Sequence, residues 1–289
     1  MKPARFAYHA PTTVTEAAAL LGAHGDDAKV LAGGQSLVPM LNLRLARFEA
    51  LVDVGRVATL REVVADADGI TVGAMVRQCD VEERADIAAS APLLAKATPL
   101  IGHFQIRSRG TVGGSIAHAD PAAEYPAVAL ALDAELRVAG PNGSRTVAAA
   151  DFFTGTWATT LDAGELLTAV RLPAWGTGSG FAVEEVARRH GDFAIAGACV
   201  GVRLSGGRFE RAAVAMFGMG STPLRGAEAE RALVGAGPDD VDPDEIAQLA
   251  IRGLDPPEDL HASSALRLRV CAAVVARAVR SAVKEAQGA

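Results

Sequence analysis

Short apolar runs alternate with helical spacings along the first part of the chain, which predicts a fold that mixes strands and helices. The run Lys29–Ala32 predicts a buried strand that leads into a pair of glycines. The segment Pro11–Ala23 has helical spacing, with Thr12 or Thr13 as its N-cap. Glu16 follows Thr13 by three residues, which is the spacing of a capping box. We therefore expect a small N-terminal unit of short strands and helices.

The pattern divides the whole chain into three units, residues 1–56, 57–176 and 177–289. In the middle unit, Pro121–Leu132 has the pattern of a helix that begins with proline. The segment Trp175–Gly180 is rich in glycine and forms the clearest linker. Three strands and then three helices are predicted beyond it: Phe181–Ala187, Ala194–Leu204, Arg208–Met216, Gly226–Leu233, Asp242–Leu254 and Ser264–Ala286.

Composition argues against several classes of protein. Half of the residues are apolar and the formal net charge is −6, so the chain has no overall attraction to nucleic acid or to an anionic membrane. No apolar run reaches the length of about 18–20 residues that a membrane span needs. The segment Met1–Phe6 lacks the apolar core of a signal peptide, so we expect a cytoplasmic protein. Cys79, Cys199 and Cys271 form no C-x-x-C pair, so neither a metal site nor an iron–sulfur cluster is predicted.

Two glycine loops are the candidate functional segments of the chain. The first is Ala32-Gly33-Gly34-Gln35-Ser36 and the second is Thr111-Val112-Gly113-Gly114-Ser115, and each precedes a segment able to form a helix. Neither loop has the spacing of a Rossmann motif or of a P-loop. Paired glycines leave backbone N–H groups unshielded, so two such loops that meet would hold a diphosphate with main-chain amides. Gln35, Ser36 and Ser115 add polar side chains. A nucleotide cofactor is the resulting hypothesis.

The segment after the second loop contains three more polar candidates. Asp120 has two interpretations, as the N-cap of the predicted helix or as a functional group. Glu124 falls one turn inside that helix, where it could accept hydrogen bonds from ribose hydroxyls. His118 has either a structural role or a role in moving redox protons. No catalytic residue is assigned, because the chain has no G-x-S-x-G elbow and no paired carboxylates typical of glycoside chemistry.

Several segments resemble one known family over essentially the whole chain. The segments Ala28–Leu37 and Gln105–Ser115 resemble the FAD-binding medium subunit of molybdenum hydroxylases, a family that includes the carbon monoxide dehydrogenase medium subunit and the FAD domain of xanthine dehydrogenase. Asp120–Pro126, Glu165–Pro173 and Arg188–Ala194 follow in the order that the family has. Two glycine motifs with three ordered supporting segments make the resemblance specific.

The resemblance implies an α+β fold of the vanillyl-alcohol-oxidase (PCMH) type. Two α+β subdomains would clasp FAD, beside a C-terminal three-stranded antiparallel sheet with helices. Both glycine loops would bind the diphosphate and ribityl chain, Leu167 would line the site, and Phe193 would lie beside the isoalloxazine ring. The implied FAD-binding residues are Ala32, Gly33, Gly34, Gln35, Ser36, Leu37, Thr111, Gly113, Gly114, Ser115, Glu124, Leu167 and Phe193.

Three positions depart from the pattern of the family. Gln35 stands where several relatives have His, and Ser115 stands where others have Asn or Asp. Glu184 stands where xanthine-dehydrogenase-like sequences have a Lys, which puts in doubt any salt bridge from that strand to the cofactor. None of these changes removes the backbone cradle.

The resemblance also implies partners and an activity. A small subunit with two [2Fe-2S] clusters and a large subunit with a molybdenum-cytosine-dinucleotide cofactor would form a dimer of heterotrimers with this chain. Electrons would pass from the clusters to FAD, and then to NAD+, a quinone or another acceptor. The substrate stays open among carbon monoxide, purines, N-heteroaromatics and aldehydes. Two alternatives are a stand-alone PCMH-type flavoprotein oxidase and a non-catalytic assembly subunit that has lost FAD.

Overall fold

A parallel three-stranded sheet forms the N-terminal part of the computed structural model, which describes residues 2–288. The strand order is β1-β3-β2, and parallel pairing places the carboxyl ends of all three strands at one edge. The first glycine loop follows β2 at this edge. The elements are β1 (Ala7–His9), α1 (Val14–His24), β2 (Ala28–Leu31), α2 (Leu37–Asn42) and β3 (Ala50–Asp53).

Helix α1 begins at the threonine cap that its sequence predicts, but the carboxylate of the expected capping box bonds one residue before the N-cap. The Thr13 hydroxyl accepts a hydrogen bond from the Glu16 amide at 3.1 Å, and the Glu16 carboxylate accepts one from the Thr12 amide at 2.9 Å. Of the two candidates, Thr13 is therefore the N-cap. The helix packs Ala17, Ala18 and Leu21 against the small sheet.

A five-stranded antiparallel sheet, in the order β4-β5-β10-β6-β7, organises the middle of the chain. Six helices connect β5 to β6, and α8 is buried along its whole length. The elements are β4 (Val63–Asp66), β5 (Gly69–Gly73), α3 (Gln78–Glu83), α4 (Ala85–Ser90), α5 (Pro92–Ala97), α6 (Phe104–Arg107), α7 (Val112–His118), α8 (Glu124–Ala131), β6 (Glu135–Gly140), β7 (Gly143–Ala148), α9 (Ala149–Phe152), β8 (Phe153–Gly155), β9 (Ala158–Thr159) and β10 (Leu166–Pro173). Single 3-10 turns occupy Gly25–Asp27, Val54–Arg56, Ala58–Arg61, Thr98–Leu100 and Pro238–Asp240.

The start of α8 differs from the prediction. The sequence places the helix at Pro121–Leu132 with Asp120 as a possible N-cap, whereas the helix begins at Glu124 and its N-cap is Ala123. The Asp120 carboxylate accepts a hydrogen bond from the Ala122 amide at 2.9 Å, so it closes a turn before the helix. The interpretation of Asp120 as the N-cap is therefore wrong.

The C-terminal sheet has four antiparallel strands, in the order β11-β12-β13-β14, rather than the expected three. The additional strand contains only two residues, too few to show an alternating pattern. One face of the sheet packs against α12 and the other faces the middle unit. The elements are β11 (Ser179–Val186), β12 (Ala196–Ser205), β13 (Arg208–Phe217), β14 (Leu224–Arg225), α10 (Ala227–Leu233), α11 (Pro243–Ile251) and α12 (Ser264–Gly288).

A buried guanidinium from α12 holds the loops at one end of this sheet. Arg267 donates hydrogen bonds to the carbonyl oxygens of Ile195 and Gly218, and it pairs with the Asp259 carboxylate at 2.7 Å. The Gly218 amide in turn donates to the Pro121 carbonyl at 2.8 Å. Arg267 therefore connects the loop before β12 to the segment that leads into α8.

Replacing Arg267 with methionine removes the charge and keeps much of the volume. We expect Arg267→Met to lower the free energy of unfolding by about 2–4 kcal/mol, because two carbonyls and one carboxylate lose their buried donor. Urea denaturation of the full chain measures this loss. Arg269→Met is the matched control, since Arg269 is exposed on the same helix. Equal losses for the two variants would contradict the assignment.

Candidate cofactor site

The two glycine loops touch each other, although they belong to different sheets. A Cβ atom on Gly33 would lie 2.2 Å from the Arg109 carbonyl oxygen, and one on Gly114 would lie 3.4 Å from the Ala32 Cβ. Only glycine fits at position 33, because the backbone of the second segment occupies the space of a side chain. The structure thus brings residues 32–33 against residues 109–114.

The amides of the second loop are already bonded within the protein. The amides of Val112 and Gly113 each donate to a carbonyl near the end of β5 at 2.9 Å. The amides of Gly114 and Ser115 donate to the side chain and carbonyl of Thr111, at 3.0 and 3.1 Å. Thr111 is therefore the N-cap of α7. The expectation that both loops present free main-chain amides is wrong for this one.

The first loop is different. No acceptor within residues 2–288 takes the backbone N–H groups of Gly33, Gly34, Gln35 or Ser36. The Gln35 side chain donates to the Gly33 carbonyl at 3.0 Å and so braces the turn. Gly34 has a φ of +74°, which favours glycine. Leu37 begins α2, so four free donors lie just ahead of a helix N-terminus, an arrangement that suits an anion.

A cavity of about 330 Å³ adjoins the contact between the loops. Three arginines, Arg61, Arg77 and Arg109, are among the residues that line it. The one carboxylate in the lining, that of Asp53, already accepts a hydrogen bond from the Tyr8 hydroxyl at 2.5 Å. The lining is therefore positive overall and favours a ligand with several negative charges, such as a diphosphate.

Glu124 and Leu167 are buried beyond the second loop. Glu124 is the first residue of α8 and is 5% exposed, and Leu167 lies in β10 and is 6% exposed. Burial, together with the charges of Glu185 and Asp120, raises the pKa of Glu124 to about 8. A carboxyl in this position carries a proton near neutral pH, so it both donates and accepts hydrogen bonds.

Phe193 lies in the loop between β11 and β12 and is 64% exposed. A Cβ on Gly191 would lie 2.7 Å from the His103 ring, and the rings of His103 and His190 are 5.9 Å apart. This loop therefore folds onto the segment just before the second glycine loop. The phenyl ring of Phe193 is left free to meet another surface.

Glu185 is a candidate that the sequence reasoning missed. It lies opposite Gly197 in the register of β11 and β12, and burial raises its pKa to about 7. Its neighbour Glu184 points to the other face of the strand, where it pairs with Arg277 of α12 at 3.5 Å. The alternation of a half-buried strand was the available signal, since two adjacent carboxylates cannot both face outward.

A histidine, an aspartate and a tryptophan form a small polar cluster after α7. The Trp157 indole N–H donates to Asp120 at 3.1 Å, and its ring stacks on the His118 ring with centroids 6.2 Å apart. Trp157 has a φ of +56°, a left-handed conformation that is costly for a side chain of this size. Burial lowers the pKa of His118. These contacts give Asp120 and His118 structural roles.

Neither a membrane span nor a metal centre is evident in the described part of the chain. Among residues 2–288, no helix is both long and apolar enough to cross a bilayer. In the same residues, no group of three or more His, Cys, Asp and Glu side chains lies together as metal ligands.

Two family models match the chain in order. Residues 4–175 match the FAD binding domain in molybdopterin dehydrogenase, and residues 181–282 match the CO dehydrogenase flavoprotein C-terminal domain. The carbon monoxide dehydrogenase medium chain of Hydrogenophaga pseudoflava is 40% identical over 98% of each chain. The 6-hydroxypseudooxynicotine dehydrogenase complex subunit alpha of Paenarthrobacter nicotinovorans is also 40% identical, over 99% of this chain and 97% of that one.

Solved structures agree with these matches. Carbon monoxide dehydrogenase from Hydrogenophaga pseudoflava superposes with a TM-score of 0.95 and 41% identity over 99% of both chains. Quinoline 2-oxidoreductase from Pseudomonas putida 86 superposes with a TM-score of 0.92 and 37% identity, over 100% of this chain and 99% of that one. The chain belongs to the FAD-binding medium subunits of molybdenum hydroxylases, which are oxidoreductases, and the fold and the FAD cofactor implied by the sequence are confirmed.

The contact between the loops can be tested by adding one methyl group. In Gly33→Ala, the new Cβ would overlap the Arg109 carbonyl, so the loops must separate. We expect this variant to lose about 1–3 kcal/mol of stability and most of its bound FAD. Thermal unfolding and the ratio of FAD to protein measure the two effects. Gly155→Ala is the control, because its Cβ would meet only Ala158 at 3.9 Å. Full FAD content in Gly33→Ala would refute the argument.

Proposed function

We propose that this chain is the flavin electron-transfer subunit of a molybdenum hydroxylase. It would receive electrons from the [2Fe-2S] clusters of a small subunit and pass them to NAD+, a quinone or another acceptor. A large subunit would carry the molybdenum-cytosine-dinucleotide cofactor, in a cytoplasmic dimer of heterotrimers. Relatives named as a medium chain and as a subunit of a dehydrogenase complex support this assembly.

One observation carries the cofactor part of the proposal. Residues 33–36 have free amides, and Gly33, the first of them, lines a cavity together with three arginines, a combination that suits a flavin diphosphate. In this proposal the first loop donates to the diphosphate, and the second loop holds the first in place. The residues proposed to bind the cofactor or to hold the donor loop in place are Ala32, Gly33, Gly34, Gln35, Ser36, Leu37, Thr111, Gly113, Gly114, Ser115, Glu124, Leu167 and Phe193.

Each of the three units would contribute residues to the flavin site. Residues 1–56 supply the donor loop, residues 57–176 supply its support and the buried Glu124, and residues 177–289 supply the loop that carries Phe193. The flavin supplies the redox chemistry when bound, with electrons entering singly and leaving in pairs. The protein's own task is to orient it, to balance the charge of the diphosphate and to exclude water.

The decisive experiment combines the full chain with its partners. The purified chain should bind added FAD and turn yellow, and its flavin should be reduced only when the reduced small subunit is added under anaerobic conditions. Oxidation of a small alcohol or aldehyde by the chain alone would favour a stand-alone flavoprotein oxidase. Failure to take up FAD would favour an assembly subunit.

The arginine-lined cavity makes a separate prediction. Arg109→Gln removes one charge beside the first loop and leaves the Arg109 carbonyl in contact with Gly33. We expect the Kd for FAD to rise about three- to tenfold at low ionic strength, and less in high salt, because ions screen the lost attraction. Fluorescence titration with FAD measures the Kd. Arg252→Gln, which alters an exposed pair with Glu228, should leave the Kd unchanged. An unchanged Kd in Arg109→Gln would place the diphosphate away from this cavity.

A further inference from the structure

Helix α2 and the turn after it expose apolar side chains at the surface formed by residues 2–288. Five of the six residues of α2 are apolar, yet only Leu41 is buried. Val38 is 40% exposed, and Leu43 and Leu45, just beyond the helix, are 58% and 73% exposed. We call Val38, Leu43 and Leu45 the α2 patch. Large apolar side chains that cluster on a surface are typical of an interaction site, because their exposure to water is unfavourable.

A hydrogen-bonded turn holds the two leucines at the surface. The amides of Leu45 and Ala46 both donate to the Met40 carbonyl, at 2.9 and 3.4 Å, so the chain folds back on the end of α2. Arg44, between the leucines, has a φ of +59°, which is an unfavourable conformation for a residue with a Cβ atom. The exposure of Leu43 and Leu45 therefore belongs to a defined backbone conformation.

Cations lie beside the α2 patch. Arg44 and Arg47 are exposed next to Leu45 in the sequence, and the Arg44 Nε atom donates to the Lys2 carbonyl at 3.4 Å, which brings Lys2 alongside. None of these three cations forms an ion pair with another residue of the described range 2–288. An apolar centre with a cationic rim matches a partner that has an apolar centre and an acidic rim.

The α2 patch also touches the first glycine loop. The Val38 amide donates to the Gly34 carbonyl at 3.0 Å, and a Cβ atom on Gly34 would lie 3.1 Å from Cγ2 of Val38. Val38 follows Ser36, the last residue with a free amide, by two positions. A protein seated on the patch would therefore adjoin whatever the loop binds.

Two other occupants fit the patch less well. In a symmetric dimer the same surface of both copies meets, so a second copy would set Arg44 and Arg47 against identical cations, which costs binding energy. A cofactor diphosphate at the free amides would lie at the N-terminal end of α2. Leu43 and Leu45 lie beyond its other end, about 9 Å away for a helix of six residues.

We propose that the α2 patch is the docking surface for the small iron–sulfur subunit, which would present apolar side chains ringed by carboxylates. This inference rests on the proposed function and names the surface through which that partner is recognised. An electron donor has to approach the flavin, and the patch begins at the loop that holds the flavin diphosphate in the proposed function. Burial of the leucines would supply affinity, and the cations would orient the partner and speed its association.

The test is the Kd of the FAD-loaded full chain for the purified small subunit, measured by calorimetry. Leu43→Asp and Leu45→Asp should each raise this Kd about tenfold or more, because a charge replaces an apolar contact at the centre of the interface. Leu260→Asp is the control and should keep the wild-type Kd, since Leu260 is 99% exposed in the loop between α11 and α12. All three variants should keep the wild-type FAD content and thermal unfolding, because the replaced side chains are exposed.

Ionic strength provides a second measurement, which needs no substitution. The wild-type Kd should rise about three- to tenfold from about 0.05 M to about 0.5 M salt, because ions screen the attraction between the cations and an acidic rim. Arg47→Gln should make this rise smaller. A wild-type Kd that does not increase with salt would contradict the acidic rim of the partner.

The outcomes separate this inference from the proposal on which it rests. A wild-type chain that binds FAD but not the small subunit overturns both. Wild-type binding that Leu43→Asp and Leu45→Asp leave unchanged overturns only the docking surface. So does loss of FAD in Leu45→Asp, which would make the patch part of the flavin site. Two further results would assign the patch to another occupant: dimerisation of the wild-type chain that Leu45→Asp abolishes in sedimentation velocity, or binding to phosphatidylglycerol vesicles that Leu45→Asp abolishes.

Discussion

The close approach of Gly33 to the Arg109 carbonyl is the constraint on which the site depends. The first loop follows a parallel sheet and the second begins a helix beside an antiparallel one, so nothing local in the chain brings them together. Their contact leaves no room for a side chain. This packing fixes where the free amides of the first loop point. A site formed in this way depends on the packing of two different sheets against each other.

The two loops look alike in sequence and differ in how their amides are bonded. Thr111 caps α7 and uses the amides that a ligand would otherwise take, whereas residues 33–36 keep theirs. One loop therefore has its amides bonded within the protein, and the other has amides without a protein acceptor in the described residues. The same separation recurs in β11, where Glu184 pairs with a helix and Glu185 faces the other side of the sheet. In this chain, what each amide or carboxylate can bind depends on the direction in which it faces.

Much of the fold was predictable from local patterns. The N-cap at Thr13, the strand before the first loop and the long C-terminal helix all have strong local signals, and the structure contains each of them. The start of α8 was not predictable, because the turn at Asp120 imitates a cap. The free and bonded amides of the two loops could not be fully told apart, since the acceptors of Val112 and Gly113 come from a distant segment. Glu185 was overlooked although strand alternation pointed to it.

Trp157, whose backbone is in the left-handed conformation, makes the ultraviolet fluorescence of the protein informative. Its indole is half exposed, donates a hydrogen bond to Asp120 and stacks on His118. These two residues follow the second glycine loop by a few positions. The only other tryptophan, Trp175, is buried under the Arg211 guanidinium, 4.0 Å from its ring. Tryptophan emission overlaps the absorption of a flavin, so the two indoles would transfer excitation from different surroundings. The ultraviolet fluorescence of the chain thus comes from one indole near the end of α7 and from one indole in the core.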